Sequence, residues 1–238
     1  MKRIKDKVKR FLYRLIVRWF WENNAIITRT LVNMSRPLNF QTRISNFYSD
    51  YILLATFELC VDEIKRKKID GDVAELGVYR GDFAEKINQA FPDRKLHLFD
   101  TFGGFIKEHV EHDVNKNLAQ NIERNFKFAE VSPEDILLKM KYPEVCQLHV
   151  GKFNKDSVPD TNFSFVRIDV DLYEPILEGL KSFYPKLSKG GYIFVHDYNN
   201  DHWEGVKKAV DEFLTENKLS GIPIPDSHGT IIISKNYV

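Results

Sequence analysis

At 238 residues with 43% apolar side chains, the chain can build one substantial core, a domain of about 170 to 190 residues behind an N-terminal extension, and a second full domain is not expected. Its 35 basic and 34 acidic residues balance to +1, so no global field points to nucleic acid or to a polyanionic partner. Cys60 and Cys146 belong to no Cys-x-x-Cys pattern, which argues against a zinc site or disulfide scaffold and for a reducing, cytoplasmic setting.

Lys2, Arg3, Lys5, Lys7, Lys9 and Arg10 precede an apolar stretch in the order of a signal peptide, but Arg14 and Arg18 interrupt it. Neither a secretory core nor a membrane span of about 20 residues survives that interruption. Ile4, Val8, Phe11, Leu12, Leu15, Trp19 and Phe20 recur at spacings of three and four, so residues 1 to 21 read as an amphipathic helix with a basic face. Such a helix suits peripheral contact with the inner face of an anionic membrane, a partner subunit in a homo-oligomer, or its own domain. Residues 22 to 46, with Asn23, Asn24, Asn33, Ser35 and Pro37, read as a connector, which gives an extension over 1–45 and one domain over 46–238.

The domain opens with a helix expected over Asn46 to Lys68, its buried face made by Tyr51, Leu54, Ala55, Leu59 and Ile64. Strand one is Asp72 to Leu76, a helix follows from Asp82 to Ala90, Pro92-Asp93 turns the chain, and strand two is Lys95 to Phe99. Between strand one and the helix lies Glu75-Leu-Gly-Val-Tyr-Arg-Gly81. A dinucleotide fold wants Gly-x-Gly-x-x-Gly so that backbone can approach a pyrophosphate, yet Tyr79 takes the middle glycine's place and Glu75 precedes the turn. A carboxylate there repels a diphosphate but suits a ligand with an ammonium group and a sulfonium centre, S-adenosylmethionine. Asp100, ending strand two, is placed to accept ribose hydroxyls. The alternative is that Glu75 caps the next helix and the glycines only make a tight turn.

From Thr101 to Lys141 runs an insertion long enough to cover such a site, with Gly103-Gly104, a polar helix near Asn115 to Asn125, and a helix opened by Ser132-Pro-Glu-Asp. Strands three to five are Gln147 to Val150, Phe163 to Ile168 and Tyr192 to Val195. A crossover helix from Pro175 to Leu187 is closed by Lys189-Gly190-Gly191. After a helix from Trp203 to Asn217, Ile222 to Asp226 and Thr230 to Ser234 flank Ser227-His-Gly229, a hairpin that implies a terminal antiparallel strand.

The blocks GDVAELGVYRG (71–81), LHLFDTFGGF (96–105), VGKFNKDSVP (150–159) and FVRIDVDLYEPILEGLKSFYPKLSKGGYIFVHDY (165–198) resemble the class I S-adenosylmethionine-dependent methyltransferases, and within them the macrocin O-methyltransferase family, which methylates sugar hydroxyls. The likeness spans roughly 70 to 235 and leaves out the basic N-terminal helix. It implies an α/β, Rossmann-like fold: a seven-stranded, mostly parallel sheet with an antiparallel last strand and helices on both faces. It further implies that Glu75, Gly77, Val78 and Tyr79 line the methionine end of the cofactor and that Thr101 and Phe102 flank the adenosine. Asp100 then holds the ribose, and Gly151, Lys152 and Phe153 lie beside the adenine.

Asp169, Asp171, His196 and Asp197 end strands four and five, where carboxylates can hold a divalent ion or Asp169 can touch cofactor. The resemblance implies Mg²⁺ on an aspartate ending strand four and an Asp-Asp pair ending strand five. Asp169 and Asp197 match, but His196 stands where the first of the pair is expected, a donor better suited to Mn²⁺ or a later metal. Asp171 has a second reading as cap of the helix near Pro175. A sugar hydroxyl must lose its proton as it attacks, so either a metal stabilises the alkoxide or a general base takes the proton. His109 and His112 sit in the covering insertion, where the resemblance implies a histidine, and His196 is a third option that would then not be a metal ligand. His228 reads as a turn residue. The expected function is methylation of a hydroxyl on a sugar, a glycosylated small molecule or a lipid-linked saccharide. The rivals are an NAD-dependent sugar oxidoreductase and a membrane-associated scaffold that has lost catalysis.

Overall fold

The computed structural model describes residues 50–119 and 131–236. The extension assigned to 1–45, and the part of the expected 115–125 helix beyond residue 119, lie outside them. Seven strands form one sheet in the order β3-β2-β1-β4-β5-β7-β6. In chain order they are β1 (Asp72–Leu76), β2 (Leu96–Asp100), β3 (Cys146–Val150), β4 (Phe163–Ile168), β5 (Leu187–Val195), β6 (Ile222–Pro223) and β7 (Ile231–Ser234). The first five pair in parallel, while β7 runs antiparallel to both β5 and β6, so the hairpin and the antiparallel last strand are as expected. Chain direction across the sheet reverses between β1 and β4, the position where open α/β sheets bind ligands beyond the strands' carboxyl ends.

Alternation along the strands divides the core in two. Val73, Leu96, Leu98, Phe165 and Phe194 face α1 (Tyr51–Arg66) and α2 (Asp82–Ala90); Ala74, Leu76, Phe99, Val166 and Ile168 belong to the core on the other side, with α5 (Tyr173–Lys186) and α6 (Glu204–Glu216). The buried apolar residues of α1 are Leu53, Leu54, Phe57, Cys60, Val61 and Ile64, which include the expected Leu54 and Ile64; Leu59, also expected inside, is 53% exposed. Once Phe57 and Ile64 face the sheet, the 100° step per residue turns Leu59 outward.

Among the described residues two further helices lie in the insertion: α3 (Lys107–Asn115), earlier than the polar helix expected near 115, and α4 (Pro133–Lys139), capped by Ser132 as its sequence foretells. The crossover helix begins at Tyr173, two residues before Pro175. Lys189-Gly190-Gly191 does not close it. Instead Leu187 already pairs with Phe163, and residues 188–191 bulge before the ladder resumes at Tyr192 opposite Phe165. An added Cβ on Gly191 would stand 2.9 Å from Ser164 O, which is why glycine sits in that bulge. No helix of the described residues is long and apolar enough to cross a membrane.

Candidate functional site

After Leu76 the chain must leave β1 while lying against the start of the β4 loop. Gly77 makes this possible: its φ is +90°, and a Cβ there would come within 2.0 Å of Asp169 O. The turn that follows is tied to β2 through Asp100. Its Oδ2 accepts the N–H groups of Val78 and Tyr79 at 2.7 and 2.8 Å, and its Oδ1 accepts that of Phe102 at 2.8 Å. Tyr79, Phe102, Asp171 and Asp197 all have φ between 49° and 62°, a costly region for residues with side chains. All four line the same cavity, so local strain concentrates at this site.

Glu75 does not cap α2, whose N-cap is Gly81 without any side-chain bond. It is buried, and its Oε1 accepts from Arg167 Nη1 at 2.6 Å. The other arm of Arg167 reaches Asp169 Oδ2 at 2.6 Å, and the guanidinium lies 4.5 Å over the Phe83 ring. Burial raises the Glu75 carboxyl to about 7 despite Arg167, with Asp169 and Asp100 adding repulsion. Its Oε2 is buried without a hydrogen-bond partner among the described residues. An orphaned acceptor beneath the glycine turn fits a cationic donor such as the ammonium of S-adenosylmethionine.

His196 follows β5 and lies between two carboxylates, its Nδ1 3.0 Å from Asp169 Oδ1 and 2.9 Å from Asp197 Oδ2. Burial disfavours its charge, but the two aspartates outweigh burial and hold the imidazole protonated up to about 10. For Asp169, burial is likewise outweighed by Arg167 and His196, and its carboxyl stays well below the ordinary range. Asp171 goes the other way, pushed well up by burial and by Asp169 and Asp197. One donor atom from each of Asp169, His196 and Asp197 falls within 4.8 Å of the others. This mixed nitrogen and oxygen set fits a divalent transition ion such as Mn²⁺, which accepts imidazole nitrogen more readily, better than Mg²⁺.

A cavity of about 510 Å³ joins these parts. Gly77, Tyr79, Asp100, Thr101, Phe102, Gly151 and Phe153 line one end; Asp169, Asp171, His196 and Asp197 line the floor. Phe105, Ile106 and His109 from the insertion, with Leu172 and Trp203, wall the rest. Of the site residues expected from sequence, Glu75 and Val78 lie behind this lining, and Lys152 lines a neighbouring surface groove that meets the cavity at His109. His109 is buried, with Nε2 3.7 Å from Glu174 Oε2; burial and Lys152 lower its pKa, so it is neutral at pH 7. His112 does not reach the cavity: its Nδ1 lies 2.8 Å from Asp113 Oδ1 and its ring stacks on Tyr173.

His228 is not merely a turn residue. It lines the cavity with its ring 5.2 Å from that of His196. Its turn is fastened by Asp226 to Thr230, by the Gly229 carbonyl to Asn199, and by Asp50 to the Ser227 amide. That fastening depends on contacts distant in sequence, so only the Ser-His-Gly turn signal was visible beforehand. Trp203 and Phe105, whose rings meet edge to face at 5.8 Å, carried no sequence signal of a site at all.

The family model described as macrocin-O-methyltransferase matches residues 52–228. Demethyldecarbamoylnovobiocin O-methyltransferase of Streptomyces niveus is 30% identical over 172 residues, covering 67% of this chain and 64% of that protein, so the chain spans less than two thirds of that relative's length. Mycinamicin III 3''-O-methyltransferase of Micromonospora griseorubida is 29% identical over 222 residues, covering 84% of this chain and 75% of that protein. The solved structure of the O-methyltransferase NovP matches with a TM-score of 0.62 at 24% identity, over 76% of this chain and 78% of that one, which shows the shared fold.

Proposed function

The chain belongs to the macrocin-O-methyltransferase family, and on that premise we propose that it transfers a methyl group from S-adenosylmethionine to a hydroxyl of a sugar or glycosylated small molecule. The observation that carries this reading is the continuous cavity between the Gly77–Tyr79 turn and the Asp169, His196 and Asp197 cluster, one end suited to a cofactor and the other to an acceptor. The acceptor class is supported by the relatives' names, which include a mycinamicin 3''-O-methyltransferase and a rhamnosyl-tetracenomycin 4'-O-methyltransferase from Streptomyces olivaceus, 27% identical over 190 residues.

When bound, S-adenosylmethionine supplies a methyl group on a positive sulfur, open to in-line displacement by an oxygen. Glu75, Gly77, Val78 and Tyr79 would hold its methionine end, Asp100 its ribose, and Thr101, Phe102, Gly151 and Phe153 its adenosine. Lys152 would act from the neighbouring groove, on His109. His109, neutral at pH 7, takes the hydroxyl proton as attack proceeds. Phe105, Ile106, Leu172 and Trp203 keep water from the reacting atoms. Asp169, His196 and Asp197 would hold a divalent ion that stabilises the developing alkoxide. Residues 1 to 21 supply either a peripheral membrane contact or a subunit contact of a homo-oligomer in a cytoplasmic enzyme.

Calorimetry separates this reading from a nicotinamide oxidoreductase: S-adenosylhomocysteine binds and NAD does not, and the reverse result overturns it. Labelled cofactor incubated with methyl glycosides and nucleotide-linked 6-deoxyhexoses, with and without Mn²⁺ and Mg²⁺, reads acceptor class and ion together. Cofactor binding without methylation of any glycoside supports the scaffold. Removing residues 1 to 21 releases the protein from anionic vesicles if that segment binds lipid, and converts oligomer to monomer if it binds a subunit.

A further inference from the structure

Asp113 has no exposed surface, yet it neither lines the cavity nor pairs with the sheet. Its carboxylate is enclosed from three sides. Oδ2 accepts the backbone N–H of Tyr173, the first residue of α5, at 2.9 Å. Oδ1 lies 2.8 Å from Nδ1 of His112, whose ring stacks on Tyr173. On the third side is Gly205, in the first turn of α6, where an added Cβ would stand 2.7 Å from Oδ2. Two helix N-termini therefore converge on one carboxylate: α5 donates the amide of Tyr173 to it, and the first turn of α6 packs against it at Gly205.

This explains a capping question left by the sequence. The N-cap position of α5 is Leu172 and makes no side-chain bond, so Asp171 is not the cap. Asp113 supplies the missing acceptor from another helix. The link between α3 and α6 is doubled just beyond α3, where Gly205 donates its N–H to Leu118 O at 2.8 Å.

The helix so anchored spans nine residues and has no side-chain N-cap. A helix of that length has little stability alone, so tertiary contacts fix where it lies. Its apolar contact is Val110, packed with Leu172 and partly buried Phe105 and Trp203; its charged contact is Asp113. His109 stands four residues before Asp113, on the same face of α3. The anchor and the cavity-lining imidazole are thus one turn apart on one short rod.

We propose that Asp113 is a positioning residue: by clamping α3 onto the N-termini of α5 and α6, it fixes His109 in the wall of the cavity. This rests on the reading above, in which His109 takes the acceptor's proton. Asp113 itself touches no reacting atom. His109 faces Glu174 at 3.7 Å, with Lys152, Glu178 and Glu108 also acting on it, and that surrounding is what the clamp preserves.

The test uses the full chain with S-adenosylhomocysteine bound, and follows the imidazole carbon resonance of His109 through a pH titration. In Asp113→Asn the acceptor for Tyr173 remains while the charge is lost; in Gly205→Ala the added methyl, 2.7 Å from Oδ2 and 3.2 Å from Tyr173 N, crowds the carboxylate away from that amide. Both variants are expected to move the His109 titration upward toward ordinary histidine and to broaden its resonance, with affinity for S-adenosylhomocysteine held within about twofold. An unchanged His109 titration in the two variants overturns the proposal. Should Asp113→Asn fail to fold, Gly205→Ala alone decides. If the wild-type protein does not bind S-adenosylhomocysteine, the cofactor reading fails, while the titrations in the free protein still report whether Asp113 governs His109.

Discussion

Glu75 and Arg167 are register partners on the neighbouring strands β1 and β4, and their side chains meet in a buried ion pair of 2.6 Å at the point where strand order reverses. The same guanidinium holds Asp169 at 2.6 Å, so one cation joins the acid beneath the glycine turn to the acid at the cavity floor. Arg167→Leu leaves two carboxylates without their partner, one of them in the core. It is expected to lower stability by about 3 to 5 kcal/mol. Arg167→Lys recovers only part of this, because an ammonium does not present two parallel arms. Urea denaturation at several pH values checks the argument: burial already raises Glu75 to about 7, so the deficit should shrink as the medium is acidified and the orphaned carboxyl is neutralised. A loss under about 1 kcal/mol would mean the pair is no stronger than a surface one.

Acid sensitivity should originate on the far side of the same sheet. His97 is buried, its Nδ1 3.0 Å from His149 Nε2 and its Nε2 3.2 Å from Asp72 Oδ2. Burial lowers both histidines, outweighing Asp72 for His97, so each is neutral in the folded protein at pH 7. The unfolded chain, with histidine near 6.5, takes up protons first as the pH falls. Their contribution is therefore complete above about 6.5 and is lost as pH drops through the lowered values. Thermal melts between pH 8 and 5 should show the wild-type Tm falling relative to that of His97→Gln, the comparison cancelling the opposite contribution of Glu75. Parallel profiles would place the acid sensitivity elsewhere.

Much of this was legible in the chain, for reasons that are local. Gly77, Glu75 and Asp100 announce a turn and two acids by short-range spacing, and the alternating apolar residues of β1, β2 and β4 place them at one sheet edge. What stayed hidden depends on partners far apart in sequence. Arg167 reads as one polar residue within an apolar strand until its pairing with Glu75, 92 residues earlier, is visible. Asp113 reads as a solvated helix charge until Tyr173 and Gly205 close over it. His112 and His109 look equivalent in sequence, and only the facing of α3 separates the one that stacks on Tyr173 from the one that lines the cavity.

Asp100 carries two duties at once, which sets its sensitivity. A carboxylate offers about four acceptor sites, and three are occupied by the amides of Val78, Tyr79 and Phe102. Replacing it with asparagine removes the charge that draws those amides and any ribose hydroxyl. Bonds to a charged acceptor contribute about 1.5 to 3 kcal/mol, so affinity for S-adenosylhomocysteine should fall by about 10- to 100-fold. Asp100→Ala should in addition lower Tm, because the turn loses its tie to β2. Calorimetric titration reads both variants, and an affinity unchanged in Asp100→Asn would remove Asp100 from the ribose site.

The identity of any ion should follow from His196. Its Nδ1 lies within 3.0 Å of carboxylate oxygens of both Asp169 and Asp197, the residues that would bind a cation, so an ion must take that nitrogen in the place of its proton. Imidazole in the set favours Mn²⁺ over Mg²⁺. His196→Asp replaces the competing proton and the nitrogen donor with oxygen. It should raise Mg²⁺ affinity by about tenfold or more, since a third carboxylate adds charge-assisted ligation. Paramagnetic resonance of added Mn²⁺, with Mg²⁺ as competitor, measures the preference in both proteins. If neither binds Mn²⁺ tighter than the exposed carboxylates do, then Asp169 and Asp197 serve only to hold His196, and the acceptor's proton leaves through His109 without an ion.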